Sequence, residues 1–438
     1  MFYIKRILIV MNVTEIAKNA NASAVVLAHL SADLKNQALT HMADALEENC
    51  ASILSANAQD LEFANTEGIS KTLIARLALN EEKVRGMAKG IRSVVALPDP
   101  VGKIKNVMEM DDDLVVKQVT CPIGVIGAIF ESRPDAVPQI SSLCLKSGNA
   151  VILKGGSEAQ NSNKVIVNIL VEAIKKVPGV PHASIQMIET RAEVGDMLKE
   201  DKYIHLMIPR GSNDFVKYIQ ENTRIPVLGH SEGICHGYID KYADLPKATR
   251  VCLDSKLQYA AACNAMETLL IHQDIAGKAL PDLVAKFKEK NVEVVGCLKT
   301  CQLTKDVAPA CESDWNLEYN DLKIAIKVVE NFADAVKFIN KHGSGHTDVI
   351  ITENKERAEQ FLNEVGSASV MWNASTRFAD GFRYGLGAEV GISTNRTHAR
   401  GPVGLEGLII YKYKLYGTGQ IVADYSGENA REFTHKPL

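Results

Sequence analysis

The pattern of apolar and polar positions predicts helices first and alternating strands and helices afterwards. Within residues 14–66 and 69–95, apolar side chains recur at i, i+3 and i+4, a spacing that places them on one helical face. The segment LPDPVGKI (97–104) ends this pattern with two prolines and a glycine. The segments DLVVKQVT (113–120) and GVIGAIF (124–130) are rich in β-branched residues, and we predict both as strands.

From residue 149 onward, apolar strand patterns alternate with amphipathic helix patterns. NAVILK (149–154) predicts a buried strand, and residues 157–177 predict a helix with serine at its start and lysines at its end. Further strands are predicted at residues 183–189, 203–208, 224–228, 266–272, 291–295, 322–329, 348–352 and 368–373. Further helices are predicted at residues 211–220, 333–343 and 355–365. This order predicts parallel sheets flanked by helices.

The C-terminal region differs from the part before it. GLIIYKYKLYG (407–417) alternates like an edge strand, whose unpaired backbone groups a neighbouring subunit can satisfy. Beyond about residue 420 the chain is polar, and we expect it to be loosely held.

Composition narrows the class of protein. The chain has 438 residues, of which 46% are hydrophobic and 23% charged, enough for two or three domains with a large core. The net charge of -4 argues against a nucleic-acid partner. No apolar run reaches the ~18 residues that a membrane span needs. The first residues, MFYIKRILIVMN, imitate a short signal peptide, but the apolar run is brief, and Met11 is the alternative start to Met1.

The nine cysteines are odd in number and irregularly spaced, with no CxxC pair. This pattern predicts reduced thiols in a cytoplasmic protein rather than a disulfide framework or a zinc site. Cys263, in QYAAACNAMETLL, has small residues before it and a predicted strand after it. A thiolate among oriented backbone amides is a good nucleophile, although a cysteine between alanines is more often a packed core thiol.

Two loops at predicted strand-to-helix junctions suit a phosphate group. LKGGSEA (153–159) and IPRGSNDF (208–215) each place glycine and serine at a helix N-terminus, where backbone N–H groups favour anions. Either loop alone is equally explained by helix capping. The GxGxxG fingerprint is absent, which excludes an ordinary Rossmann dehydrogenase.

Longer segments carry a specific resemblance. In order along the chain they are CPIGVIGAIFESRPDAVPQI (121–140), GNAVILK (148–154), IPRGSNDFV (208–216), GHSEGICHGYID (229–240), CNAMETLL (263–270), KHGSGHTDVI (341–350) and residues 373–408. Over roughly residues 12–420, the chain resembles the γ-glutamyl phosphate reductase family of the aldehyde dehydrogenase superfamily. The tail also resembles the reductase half of bifunctional pyrroline-5-carboxylate synthases.

The resemblance implies an α/β, aldehyde dehydrogenase-like fold with two Rossmann-like α/β domains plus a β-flap for oligomerisation. A cofactor-binding domain is expected at 12–105 and 124–236, and a catalytic domain at 237–400. The β-flap is expected at 106–123 and 401–420, and it implies a homodimer or a dimer of dimers.

The implied reaction is the NADPH-dependent reduction of γ-glutamyl phosphate to glutamate 5-semialdehyde and phosphate, in proline biosynthesis. Cys263 is the implied nucleophile. A glutamate 5-kinase that supplies the unstable acyl phosphate is an expected partner. Two rivals are an aldehyde dehydrogenase that hydrolyses its thioester and a paralogue that binds without turnover.

The resemblance also assigns cofactor residues. Lys154 matches the lysine that contacts the adenosine ribose, beside Gly156 and Ser157, and Ser157 stands where NAD-using relatives carry glutamate. A serine with a lysine favours the 2′-phosphate of NADPH over NAD, because a carboxylate would repel that phosphate. Gly211 and Ser212 form the second phosphate loop. Glu318 is placed near the nicotinamide ribose, or else it is a solvated loop carboxylate.

Two departures from the superfamily concern the chemistry. Oxidising relatives carry Glu-Leu-Gly-Gly-Lys, whose glutamate activates water, whereas residues 230–233 here read His-Ser-Glu-Gly. An acyl phosphate reductase needs no such water, but Glu232 keeps water activation open. Arg133 stands where relatives carry an oxyanion-hole asparagine, and a guanidinium there can stabilise an oxyanion or the leaving phosphate. The alternative is an ion pair of Arg133 with Glu131 or Asp135.

The substrate's α-amino and α-carboxylate groups need partners of opposite charge. Candidates in the loop after residue 372 are Asn373, Ser375, Thr376 and Arg377. Arg377 is the candidate for a carboxylate or phosphate contact, or else a surface arginine. His342 and His346 lie in a shared segment that assigns them no role.

Overall fold

The computed structural model describes residues 12–211, 213–229 and 232–438. The expectations for Met1 or Met11, for Ser212 and for His230 lie outside these residues. The predicted helical region begins with α1 (Val13–Leu27), α2 (Ala32–Glu48), α3 (Cys50–Thr66), α4 (Lys71–Leu77) and α5 (Glu81–Ala96). Side-chain oxygens of Asn12, Ser31, Ser70 and Asn80 accept backbone hydrogen bonds at the starts of α1, α2, α4 and α5.

A first parallel sheet follows the helices. Its region contains β1 (Ile104–Asp111), β2 (Leu114–Pro122), β3 (Val125–Phe130), α6 (Ala136–Lys146), β4 (Ala150–Lys154), α7 (Gln160–Lys175), β5 (Ile185–Met187), α8 (Arg191–Met197), β6 (Leu206–Arg210) and α9 (Asn213–Asn222). The sheet order is β5-β4-β3-β6. The predicted strand at 224–228 is wrong, since only Val227 forms a bridge, to Met207. Pro226 has no N–H with which to extend a ladder.

A second, larger parallel sheet has the order β10-β9-β11-β8-β7-β12-β13. Its elements are β7 (Cys235–Ile239), α10 (Leu245–Leu257), β8 (Met266–His272), α11 (Gln273–Glu289), β9 (Glu293–Gly296), α12 (Leu298–Leu303), β10 (Ala308–Pro309), β11 (Lys323–Val329), α13 (Phe332–His342), β12 (Thr347–Ile351), α14 (Lys355–Glu364) and β13 (Ser369–Trp372). The domain limit expected between residues 236 and 237 falls inside β7.

The remaining strands are β14 (Ile392–Ser393), β15 (Gly401–Pro402), β16 (Ile409–Tyr416) and β17 (Lys436–Pro437). The antiparallel flap has the order β16-β2-β1-β17, so the predicted C-terminal edge strand is confirmed, and it pairs with β2. The expectation of a loosely held tail is wrong. Tyr425 Oη donates to Asp111 Oδ2 at 2.8 Å, Arg431 forms an ion pair with Asp111, and β17 pairs with β1.

The core divides between the two parallel sheets. The larger apolar cluster packs α1, α2, α5, α6 and α7 on the first sheet, and a second cluster packs α10 and α11 on the second sheet. The chain segment between β6 and β7 connects the first sheet to the second. The loop between α10 and β8 follows it, within the region of the second sheet. Among the described helices, none combines the length and apolar character needed to cross a bilayer.

Candidate active site

Cys263 lies in the loop of residues 258–265, between α10 and β8, called the Cys263 loop below. Tight turns shape the loop: Ala262 N donates to Tyr259 O at 3.2 Å, and Ala265 N donates to Ala262 O at 2.8 Å. The predicted strand directly after Cys263 is confirmed as β8. The thiol is half-buried, so the loop leaves it accessible from one side.

The chain that leads into β7 holds the Cys263 main chain from behind. Cys235 Sγ donates to Cys263 O at 3.2 Å. Burial raises the pKa of the Cys235 thiol well above its ordinary value, so this thiol remains a donor. A Cβ added at Gly233 would lie 2.1 Å from Cys263 O, so the glycine permits a backbone approach that no other residue allows. The position of Cys263 is therefore fixed by tertiary contacts.

The two histidines without an assigned role lie in different places. His346 is buried, with Nδ1 at 2.8 Å from Thr347 Oγ1 and 3.8 Å from Cys235 Sγ, so it packs behind the Cys263 loop. The ring of His342 lies 4.3 Å from the Phe338 ring. Neither observation gives a histidine a contact with the Cys263 side chain.

A cavity of about 650 Å³ lies between α5, α6 and residues 380–389. Its charged lining residues are Arg76, Lys83, Arg133, Asp135, Arg210, Asp380 and Glu389. Arg76 joins the cavity to the loop, because its Nη2 donates to Ala261 O at 3.3 Å. Both signs of charge are present, as a ligand with ammonium, carboxylate and phosphate groups requires.

Arg133 follows β3 in a turn that is held in an unusual conformation. Ser132 has φ of 44°, a left-handed conformation that costs free energy for a residue with a side chain. The carboxylate of Glu158 stabilises it, since Oε1 accepts from Ser132 N at 2.6 Å and from Ser132 Oγ at 2.7 Å. Arg133 and Asp135 both line the cavity.

Arg210 is a residue that the sequence analysis did not single out, although it directly precedes Gly211. It is the last residue of β6 and lines the same cavity. Its Nη1 is sealed from solvent and has no hydrogen-bond partner among the described residues. Burial lowers its pKa, and the positive charge of Arg133 adds to that effect. The signal in the sequence was its position at the carboxyl end of a predicted strand.

The residues expected to hold the cofactor lie at the carboxyl edge of the first sheet. Lys154 ends β4 and is buried, and burial lowers the pKa of its ammonium group. A Cβ at Gly156 would lie 2.0 Å from Glu158 Oε1, so any larger residue would require the Glu158 carboxylate to move. Ser157 is exposed at the start of the 3-10 turn that precedes α7. Gly211 follows β6, and Ser212 lies outside the described residues.

These features fit a nucleotide. Lys154 supplies a cation, Gly156 keeps the backbone open, and Ser157 presents a hydroxyl instead of the carboxylate that would repel a 2′-phosphate. Glu158, the nearest carboxylate in sequence, is turned to Ser132 by the two hydrogen bonds described above. Among the described residues, no group of histidine, cysteine, aspartate and glutamate is arranged to hold a metal ion.

A buried ion pair joins α10 to β8, and Glu318 acts on it electrostatically. Lys256 Nζ donates to Glu267 Oε2 at 2.7 Å, and neither side chain is exposed. Glu267 sits where the β7–β8 register is irregular, four residues after Cys263. Burial raises the pKa of Glu267 to about 7, the attraction of Lys256 opposes that effect, and the charge of Glu318 adds to it. Glu318 itself is half-buried in the loop before β11.

The four residues expected at the substrate have different surroundings. Arg377 reaches the Cys263 loop, since its Nε donates to Gln258 Oε1 at 2.9 Å and its guanidinium lies 5.9 Å from the Tyr259 ring. Thr376 N donates to Ser255 Oγ at 3.1 Å, and Ser375 Oγ lies 3.3 Å from the same hydroxyl.

Asn373 has no such connection to the loop. Its Nδ2 donates to Thr352 O at 2.9 Å, and its Oδ1 accepts from Thr352 N at 3.0 Å. The structure therefore brings Arg377, Ser375 and Thr376 close to the α10 end of the site and ties the amide of Asn373 to the end of β12.

Comparisons with known proteins agree with this geometry. A model of the aldehyde dehydrogenase family matches residues 10–296. The γ-glutamyl phosphate reductase of Methanococcoides burtonii is 55% identical over 428 residues, which cover 96% of this chain and 95% of the relative. That of Acetivibrio thermocellus is 53% identical over 428 residues, which cover 98% and 99%.

Solved structures agree as well. The crystal structure of γ-glutamyl phosphate reductase from Thermotoga maritima has a TM-score of 0.91 and 42% identity, covering 94% of this chain and 100% of that chain. An acetylating aldehyde dehydrogenase from Geobacillus thermoglucosidasius shares the fold, with a TM-score of 0.67 and 16% identity over 93% of this chain and 97% of that chain. These findings confirm the α/β fold class and the family resemblance. The chain belongs to the γ-glutamyl phosphate reductases of the aldehyde dehydrogenase family.

Proposed function

We propose that this chain reduces γ-glutamyl phosphate to glutamate 5-semialdehyde and phosphate with NADPH, a step in proline biosynthesis. The observation that carries the proposal is the Cys263 loop, which holds a half-buried thiol and is joined through Arg76 to an arginine-lined cavity. The close relatives named γ-glutamyl phosphate reductases support the same reaction.

In the proposed mechanism, the sulfur of Cys263 attacks the acyl carbon. A C–S bond forms, the bond from that carbon to the phosphate oxygen breaks, and phosphate leaves with the electron pair. The Cys263 backbone amide and Arg133 stabilise the oxyanion that forms on the way. Bound NADPH supplies the hydride that reduces the thioester. The C–S bond of the resulting thiohemiacetal then breaks, which releases the aldehyde and regenerates the Cys263 thiolate.

The proposed cofactor residues are Lys154, Gly156, Ser157, Gly211, Ser212 and Glu318. The buried Lys154 and the exposed Ser157 support NADPH over NADH, because together they offer a cation and a neutral hydroxyl to a 2′-phosphate. We assign Glu318 to the nicotinamide ribose. The half-buried Glu318 acts electrostatically on Glu267 of β8, which follows the nucleophile by four residues.

For the amino-acid end of the substrate, we propose Arg377 as the carboxylate partner, with Asn373, Ser375 and Thr376 shaping its loop. The connection of Arg377 to Gln258 in the Cys263 loop supports this role. Asp135 and Asp380 line the cavity and offer carboxylates to the α-ammonium group. The rival function is a hydrolytic aldehyde dehydrogenase, in which Glu232 would activate water. The side chain of Glu232 is exposed, which supports this role less than a buried side chain would.

The assembly and setting are also proposals. β16 is a flap edge with exposed Tyr411, Tyr413 and Leu415, which supports a homodimer or a dimer of dimers. A Tyr413→Glu variant should lower the mass measured by light scattering, whereas Leu298→Glu, on exposed α12, should not. The same oligomer in both variants would refute the proposal.

We keep the cytoplasm as the expected location and a glutamate 5-kinase as the expected source of substrate.

The test of the nucleophile is direct detection of the thioester. The protein is mixed with γ-glutamyl phosphate, generated in place by a glutamate 5-kinase with ATP and glutamate, without NADPH. Intact mass should show one glutamyl group on the wild type and none on Cys263→Ala. Cys297→Ala is a matched control, because the pKa of the Cys297 thiol is lowered. Burial raises that pKa, but hydrogen bonds from Thr300 and Val328 lower it by more. An adduct that persists in Cys263→Ala would refute the assignment.

A further inference from the structure

Arg210 carries a buried hydrogen-bond donor without a partner in the described part of the chain. Its Nη1 is buried and has no partner among the described residues. A buried N–H without an acceptor costs free energy, and in native proteins such groups mostly find partners. Arg76, which also lines the cavity, is engaged, because it donates to Tyr259 Oη and Ala261 O.

A second guanidinium lies in the same cavity. Arg133 and Arg210 both line it, and the charge of Arg133 acts with burial to lower the pKa of Arg210. Glu389 and Asp135 offset part of this effect. Arg76 lines this cavity as well and donates to Ala261 O in the Cys263 loop at 3.3 Å, so the cavity is joined to the loop that carries the nucleophile. Two guanidiniums in one cavity attract an anionic ligand, against the opposing charge of the carboxylates that line it.

The backbone places both arginines firmly. Arg210 ends β6, which pairs with the central strand β3 through Phe130 and Arg210. Arg133 follows β3 in the turn that Glu158 holds through Ser132. Adjacent parallel strands therefore deliver the two guanidiniums to one edge of the sheet, and neither depends on a long loop for its position.

We propose that Arg133 and Arg210 together bind the phosphate group that leaves the acyl carbon, with Arg210 as a phosphate-binding residue. The inference rests on the proposed function. A guanidinium matches phosphate oxygens with two parallel hydrogen bonds, and a pair of them suits a dianion. As the C–S bond forms and the C–O bond breaks, phosphate takes the electron pair, and the proton released by the Cys263 thiol completes hydrogen phosphate.

The test uses the reverse reaction, in which phosphate is a substrate whose concentration can be varied. Turnover of glutamate 5-semialdehyde and NADP is measured against inorganic phosphate for the wild type, Arg210→Gln and Arg210→Lys. Arg210→Gln should raise the KM for phosphate about 10- to 100-fold, the effect of losing a charged hydrogen-bond donor. Arg210→Lys should recover part of the loss. The KM values for NADP and for the semialdehyde should change less than about threefold.

A surface arginine is the matched control. Arg85 is 63% exposed and pairs with Glu81 on its own helix, so Arg85→Gln should leave the KM for phosphate unchanged. Thermal unfolding of Arg210→Gln establishes that the variant folds. If it does not fold, Arg210→Lys carries the test, with an expected increase in the KM for phosphate alone.

A second measurement does not need turnover. Inorganic phosphate should protect Cys263 from iodoacetamide in the wild type, and Arg210→Gln should need about 10- to 100-fold more phosphate for half protection. An unchanged KM and unchanged protection would overturn the proposal. An increase confined to the KM for the semialdehyde would overturn it too, because Arg210 would then bind the amino-acid end. Wild-type turnover without any phosphate dependence would instead refute the proposed function.

Discussion

Gly233→Ala tests how closely the chain before β7 holds the nucleophile. A Cβ at this position would lie 2.1 Å from Cys263 O and 2.6 Å from Cys263 Cα. Ordinary contact begins at 3.4 Å, so the carbonyl oxygen would have to move by 3.4 − 2.1 = 1.3 Å. It cannot move freely, because it accepts the hydrogen bond from Cys235 Sγ at 3.2 Å. The substitution therefore displaces the nucleophile rather than a flexible side chain.

The expected loss follows from that displacement. A shift of about 1 Å in a reacting group costs about 100-fold in rate, and forcing a methyl group into a packed site costs about 1–3 kcal/mol of stability. The assay measures kcat and KM of the reverse reaction, alkylation of Cys263 by iodoacetamide, and unfolding in urea. We expect kcat to fall about 100-fold while the KM for NADP changes little, because Lys154 and Gly156 lie in the other sheet.

Gly277→Ala is the matched control, because Gly277 is exposed on α11 and an added Cβ meets nothing within 4 Å. This variant should keep full activity and gain about 0.5–1 kcal/mol of stability, as alanine replaces glycine in a helix. A folded Gly233→Ala protein with wild-type kcat would refute the reasoning, since Cys263 would then tolerate displacement or the loop would have room that the structure does not show.

Three further predictions concern Cys235, Lys256 and His205. Cys235→Ala removes the donor to the carbonyl of the nucleophile and should lower kcat about 10-fold with little change in KM, whereas Cys235→Ser should restore most of it. Lys256→Met leaves Glu267 buried without its partner and should cost about 3–5 kcal/mol in urea unfolding, which adding Glu267→Leu should partly recover. Burial lowers the pKa of His205 below its ordinary 6.5, and its Nδ1 accepts from Val125 N at 3.0 Å, so the neutral ring is the folded form. The free energy of unfolding should therefore fall as pH drops below 6.5 and level off below the folded pKa, and His205→Gln should lack this component. Equal activity of the two Cys235 variants would contradict the first prediction. Additive losses in the double variant of Lys256 and Glu267 would contradict the second, and the same pH profile with and without His205 would contradict the third.

Local sequence patterns predicted those parts of the fold that local forces determine. The strands with continuous β-branched runs, such as β3, β4 and β8, were found because their composition suits a buried parallel sheet. Helix α6 was missed because every residue from Ala136 to Lys146 except Gln139 is buried, so it shows no polar face. The strand expected at 224–228 failed at Pro226, which removes a ladder donor.

The candidate site was predictable only in part, for the same reason. The hypotheses for Cys263 and for the turns at Gly156 and Gly211 each rest on a short contiguous motif. The contact between Arg76 and Ala261 spans 185 residues, and no spacing rule relates two such positions. Arg210 belongs to the cavity because β6 and β3 pair in parallel, which is a property of the sheet order rather than of the loop. The amide of Asn373 bonds Thr352 through the β12–β13 register, which the sequence alone does not reveal.

The central claim is that a Cys263 thioester is resolved by phosphate and not by water. The most direct measurement is NADPH formation from glutamate 5-semialdehyde and NADP, with and without inorganic phosphate, for the wild type and for Cys263→Ala. The account predicts turnover that requires phosphate and disappears in the variant. Equal turnover without phosphate would mean that water resolves the thioester, and undiminished turnover in Cys263→Ala would remove Cys263 from the mechanism.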